Sequence, residues 1–288
     1  MSKLRIVYVH GIGGKPPEEV YRAEWDAALR RLAYVREIDS TMMYWSDVRL
    51  GVTPAMLRAA HARARHEKQH RFARLRPQTN SPLGYAISLV LHLIDPAIRR
   101  ITKELLTEVY LYFYGRGDTG DIRDVILARM DAAMRETRPQ VIIAHSWGSV
   151  IAYDYLANRG YNGEVGALIT LGSPLGQDYV QEHVGATAYP HQVRHWLNVF
   201  DAMDPATWPD RRISNDLRGP HGEHLIRDVE IPSVYDEDGK RDPHSWYGYL
   251  ISEPVQTELF RIAASDALWG AAEAAQDAPR PRRLEAGG

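Results

Sequence analysis

The chain contains no cysteine. That removes disulfides, thiolate nucleophiles and cysteine-ligated metals, and with them any sign of an oxidising compartment. An excess of charge is also missing: 35 Lys and Arg against 37 Asp and Glu leave a formal net charge of −2. Dedicated nucleic-acid-binding domains are strongly basic, so no nucleic-acid partner is expected. Long apolar runs are absent as well. The longest apolar patch, 83–94, is broken by Ser88 and His92 and falls short of the ~20 residues that span a bilayer. The first residues pass directly into a β-branched run, without the apolar h-region and small-residue cleavage site of a secretory signal. A cytoplasmic protein is expected. No internal repeat or low-complexity segment is visible.

What is present suits one substantial α/β domain. A chain of 288 residues with 44% hydrophobic content buries about three quarters of its unfolded surface on folding. Four short apolar runs, 4–9, 141–144, 167–171 and 196–200, lack the alternation of a half-exposed strand and read as strands buried on both faces. Helical patterns lie between them, over 19–32, 121–135 (with Asp118 and Thr119 as capping candidates) and 149–157, the last ended by Asn158-Arg159-Gly160. Strands alternating with helices predict a mostly parallel central sheet covered by helices on both faces. The domain is expected over 1–265, followed at 266–288 by an Ala-rich helical stretch and a frayed Pro-Arg-rich tail.

Between 50 and 115 the pattern turns helical and irregular, with no convincing strand. The basic stretch 58–76 faces Glu67 as its one compensating acid. It reads as a solvated helix face or, in a sharper reading, as a peripheral contact with an anionic membrane surface. The apolar stretch 85–114 that follows is expected to pack over the sheet as a helical cap or lid.

The chemistry gathers at predicted strand ends. Val141-Ile142-Ile143-Ala144 runs into His145-Ser146-Trp147-Gly148 and then a helix. That is the strand–turn–helix context in which a small-x-Ser-x-Gly match becomes a nucleophile elbow. The first strand ends in His10-Gly11-Ile12-Gly13-Gly14. This fits neither phosphate-binding glycine pattern, and Pro16-Pro17 stands where a phosphate-binding helix would start; the His-Gly pair after an early strand favours an oxyanion loop through the Ile12 N–H, with a merely tight turn as the other reading. A serine hydroxyl needs a base, itself oriented by a third group. Asp201 and Asp204 follow the run 196–200; Asp204 is the expected orienting acid and Asp201 the second choice. His244, in a loop before an apolar segment, is the expected base. His221 and His224 are close neighbours on either side of Glu223, but a zinc site usually needs at least three protein ligands and no supporting Asp, Glu or His cluster surrounds this short loop in sequence, so neither metal nor cofactor is expected. His145 is expected to point away from the site and to serve packing or hydrogen bonding.

These segments resemble the α/β-hydrolase superfamily, and more narrowly small bacterial serine hydrolases of the lipase and esterase branch. The likeness lies in Val9-His10-Gly11-Ile12-Gly13, Ala144-His145-Ser146-Trp147-Gly148-Ser149, Leu171-Gly172-Ser173-Pro174-Leu175, 198–205 and His244-Ser245-Trp246-Tyr247. Ala144 replaces the usual first glycine, and Ala206 an aliphatic residue that often follows the Asp-Pro. The resemblance implies an α/β-hydrolase fold with a cap insertion and a triad of Ser146, Asp204 and His244. It also implies an oxyanion hole from the N–H groups of Ile12 and Trp147. The expected substrate is a small ester or lipid-like molecule, with Met42, Met43, Tyr44, Trp45 and Trp147 as candidate apolar contacts. An acyltransferase or thioesterase on the same triad, and a non-catalytic lipid- or protein-binding module, remain alternatives.

Overall fold

A computed structural model describes residues 3–31, 37–50, 109–117, 120–186, 188–208 and 210–276, together with 56, 58, 59 and 62. Its centre is a sheet of six strands: β1 (Leu4–Val9), β2 (Ile38–Met43), β5 (Val141–His145), β6 (Val165–Leu171), β7 (Val193–Asp201) and β8 (Ile226–Ile231). A separate two-stranded ribbon pairs β3 (Arg116–Gly117) with β4 (Gly120–Asp121). The six-stranded order is β2-β1-β5-β6-β7-β8, and every neighbouring pair in it is parallel.

Successive side chains of a strand point to opposite faces, and the core follows that rule. Val7, Val9, Ile142 and Ala144 join one apolar cluster. Ile6, Tyr8, Val141 and Ile143, their sequence neighbours, join a second. Two apolar faces demand two layers of helices. The first cluster takes the buried stripe of α3 (Ile122–Thr137) and the buried helix α4 (Trp147–Asn158), including Ile126, Met130, Val150 and Ile151. The second takes Tyr21, Trp25 and Leu29 of α1 (Glu18–Arg30), Tyr249 and Leu250 of α6 (Trp246–Leu250), and Val255 and Leu259 of α7 (Glu253–Gln276). Two short helices, α2 (Ser46–Leu50) and α5 (Asp178–Val184), stand at the ends of loops.

The strand order reverses between β1 and β5, and open α/β sheets bind ligands beyond the carboxyl ends of the strands at such a switch point. Val9 pairs with Ala144 there, so the glycine loop after β1 and the serine turn after β5 emerge side by side.

The four apolar runs predict β1, β5, β6 and β7 correctly, while two outer strands escape the same reading. β2 carries Asp39, Ser40 and Thr41, and β8 carries Arg227, Asp228 and Glu230. Each lies at an edge of the sheet with one neighbour, where polar and charged side chains are accommodated and guard against further pairing. The capping candidates Asp118 and Thr119 lie outside the described residues. Asp121 precedes α3 instead, without a side-chain capping bond. Most of the cap expected over 50–115, and of the basic stretch 58–76, also lies outside them. The end of that insertion, 109–114, is helical, and its Tyr112 and Phe113 rings stand edge-on to Trp147 at 5.8 and 5.7 Å. The C-terminal helix continues to Gln276; 277–288 lie outside the described residues. Among the described residues no helix is long and apolar enough to cross a membrane.

Candidate active site

β5 delivers Ser146 through a backbone bend that few L-residues adopt. Its φ of 55° and ψ of −128° are strained for a side chain bearing a Cβ. The strand and the following helix can cross this tightly because Gly148 lies against β1: a Cβ there would stand 2.3 Å from the Val9 carbonyl oxygen. The Ser146 N–H donates to the Leu171 carbonyl at 2.8 Å, which fixes the tip of the turn against β6. Behind it, the Ser149 hydroxyl donates to the Ser146 carbonyl at 2.6 Å and lies 2.7 Å from the Ser173 hydroxyl.

Ser146 Oγ lies 2.9 Å from His244 Nε2, and His244 Nδ1 lies 2.8 Å from Asp204 Oδ2. Three side chains separated by up to 98 positions in sequence thus form one hydrogen-bonded chain. A carboxylate accepts only, so Nδ1–H donates to Asp204 and leaves Nε2 to accept from the serine hydroxyl. Asp204 is fully buried and Ser146 is 1% exposed. The His244 imidazole is pulled down by burial, but the charge of Asp204 and its hydrogen bond outweigh this, and its pKa is raised above 6.5. Gly172, in a left-handed turn after β6 (φ 55°), leaves room for the pair. A Cβ on it would come within 2.6 Å of Asp204 Oδ2 and 3.2 Å of His244 Nδ1.

The two aspartates at the end of β7 have separate partners. Asp201 accepts from the N–H groups of Met203 and Val234 at 2.8 and 3.0 Å. Arg241 grips it with two bonds, at 2.6 and 3.1 Å. That clamp ties the loop carrying His244 to the sheet, and the second-choice acid is not in contact with the imidazole. Asp204 also accepts the Ala206 N–H at 2.9 Å and the Tyr249 hydroxyl at 2.8 Å.

The loop after β1 lies directly over the serine. A Cβ on Gly11 would stand 2.7 Å from Ser146 Cβ and 3.2 Å from its Oγ. Ile12 follows in that loop, and Trp147 opens α4, where first-turn N–H groups have no intrahelical acceptor. The buried His10 holds the loop down. Its Nε2 accepts the Trp45 N–H at 3.1 Å, so its Nδ1–H donates to the Gly11 carbonyl at 2.7 Å. Its ring stacks on Trp45 at 5.3 Å with an interplanar angle of 1°. Burial, the largest influence, lowers the His10 pKa to about 3, so the ring is a neutral brace.

His145 does not turn away from the site as expected. Its ring centroid lies 4.7 Å from that of His244, and its Nε2–H donates to the His244 carbonyl at 3.0 Å. It is a hydrogen-bonding residue, but one that braces His244. Burial, and then the charge of His244, hold its pKa well below 6.5. The apolar contact candidates Met42, Met43, Trp45 and Trp147 are buried core residues, so packing accounts for them. His224 interacts with Arg218, and the His221 N–H donates to Glu223 at 2.9 Å in an exposed loop. Among the described residues no group of three or more His, Asp or Glu side chains is placed to hold a metal.

Sequence reasoning missed Tyr249 and Arg241, which no local pattern marks. Their positions near His244 in sequence were the only signal. The chain matches no protein-family model and no curated protein in sequence.

Proposed function

We propose that the chain is a serine hydrolase of the α/β-hydrolase type, cleaving a carboxylic ester through an acyl-enzyme on Ser146. The observation that carries this reading is the unbroken hydrogen-bonded chain from Ser146 through His244 to Asp204 at 2.9 and 2.8 Å. Ser146 Oγ attacks the carbonyl carbon while His244 Nε2 takes its proton, and Asp204 stabilises the resulting imidazolium. The bond to the leaving alcohol breaks as His244 returns that proton to the alcohol oxygen. Water then repeats the sequence on the acyl-enzyme, releasing the acid and restoring Ser146. The N–H groups of Ile12 and Trp147 receive the negative oxygen; losing one such donor raises a barrier by about 2.7–4 kcal/mol. The described end of the insertion, 109–114, packs on Trp147 next to the serine, which supports the cap reading for that part of it.

The test is covalent. A fluorophosphonate probe, with the adduct mapped by mass spectrometry, labels Ser146 in the folded protein and leaves Ser146→Ala unlabelled. Removing a triad serine costs on the order of a millionfold in turnover, so hydrolysis of a short nitrophenyl ester disappears in that variant. Folded protein that resists the probe sinks the proposal and favours a non-catalytic binding module. Product analysis with and without an alcohol acceptor separates hydrolysis from acyl transfer.

A further inference from the structure

One buried hydroxyl in the site is not accounted for by the three-residue chain. The Tyr249 hydroxyl accepts the Asp201 N–H at 2.8 Å and lies 2.8 Å from Asp204 Oδ2. The direction of its proton follows from its two partners. A backbone N–H can only donate, so the phenol oxygen accepts there. A carboxylate can only accept, so the single phenol proton is directed onto Asp204. Both Tyr249 and Asp204 are fully buried, so water does not compete for either bond. Burial and then the charge of Asp204 raise the Tyr249 pKa far above the working range. The hydroxyl is therefore a donor at every pH the protein encounters.

We propose that Tyr249 is a positioning residue that holds Asp204 for His244 through its hydroxyl and moderates the pull of that carboxylate on the imidazole proton. Asp204 Oδ2 shares its charge between two donors, Tyr249 Oη–H and His244 Nδ1–H. A hydrogen bond donated to a carboxylate stabilises its charged form, which weakens its hold on the proton of His244. The same hydroxyl, by accepting from Asp201 N–H, fixes the backbone end of the 201–204 turn while the Ala206 N–H fixes the other carboxylate oxygen. Tyr249 sits on α6, one turn beyond Ser245, whose hydroxyl accepts the Gly248 N–H, so one short helix carries the loop of the base and the hydroxyl that orients the acid.

Other charges also face His244. Asp204 and Asp242 raise its pKa while Lys15 lowers it. The His145 ring, 4.7 Å away, stays neutral. Arg241 is matched by Asp201. Tyr249→Phe removes none of these charged groups and keeps the buried ring; what it removes is the hydroxyl with its bonds to Asp204 and to the Asp201 N–H.

The role rests on the serine-hydrolase reading, but the first measurement does not need catalysis. The His244 imidazole is titrated by NMR in wild type and in Tyr249→Phe. The midpoint is expected to rise by about half a pH unit to one unit when the donor is lost. The pH dependence of fluorophosphonate labelling then shows the same upward shift of its acid limb, with a lower plateau. A hydroxyl that only supported the fold would lower the plateau and leave both midpoints in place, and that result overturns the proposal. Should Tyr249→Phe fail to fold, 3-fluorotyrosine at 249 keeps the hydroxyl and makes it a stronger donor; the His244 midpoint must then fall. An unshifted midpoint there overturns it equally. Wild type whose His244 titrates as described but whose Ser146 takes no probe refutes the hydrolase reading while retaining the Tyr249–Asp204–His244 coupling.

Discussion

Ser146 occupies a backbone conformation, φ 55° and ψ −128°, that places its hydroxyl at the tip of the turn and within reach of His244. Strain of this kind costs on the order of 1–3 kcal/mol. Glycine relieves it at an entropic cost of roughly 0.5–1 kcal/mol. Ser146→Gly should therefore be more stable than Ser146→Ala by about 1 kcal/mol in urea unfolding, although neither retains the hydroxyl. Equal stabilities would mean that the turn is not strained. Residue identity was legible at this scale wherever a local pattern accompanied it, as with Ser146 in its strand–turn–helix context. The choice between Asp201 and Asp204 was not. They stand three positions apart at the end of one strand, and their roles divide only because Arg241 and Val234 reach one while His244 and Tyr249 reach the other.

At the scale of elements, the central strands were readable because they are buried on both faces and so consist of continuous apolar runs. The edge strands β2 and β8 were not, because one open side tolerates charge. α4 was readable as a helix over 149–157, but its complete burial was not. All its residues from Trp147 to Leu156 are buried, so it has no amphipathic stripe, and Asp154 within it is fully buried. That carboxylate accepts two bonds from Arg123 at 2.7 and 2.6 Å, one from the Tyr112 hydroxyl at 2.5 Å and one from Asn158 at 2.8 Å. It fastens α3 and the helical segment 109–114 to the helix behind the serine. Removing one member of such a pair leaves a charge without its partner and typically costs 3–5 kcal/mol. With Arg123 still partly exposed, Asp154→Ala should lose about 3 kcal/mol in urea unfolding. A loss below about 1 kcal/mol would show that the three elements are held by apolar packing alone.

For the whole molecule, two buried neutral histidines beside the serine link stability to pH. His10 has its pKa lowered to about 3, and His145 is lowered well below 6.5, burial being the main cause for both. In the unfolded chain both take up a proton as pH falls through 6.5, while in the fold they do not, so stability falls with falling pH. His244 has the opposite sign. Its raised pKa contributes stability that is complete below 6.5 and is lost as pH rises through the folded value, so it does not offset the loss at lower pH. Two silent histidines predict a fall of about 3 kcal/mol between pH 6.5 and 5.0, measurable by urea unfolding at each pH. A flat profile over that window would mean that His10 and His145 are protonated in the folded state.

The order of apolar runs and helices, the glycine loop after the first strand and the serine turn after a later one were determined by the sequence itself. Local sterics and burial on both faces leave a pattern in consecutive residues. The reversal of strand order between β1 and β5, the meeting of Ser146, His244 and Asp204, and the recruitment of Tyr249 and Arg241 were decided only by the tertiary structure. They depend on which strand ends become neighbours in the parallel sheet, and hydrogen bonds between groups 40 to 98 positions apart leave no trace in the spacing of either segment.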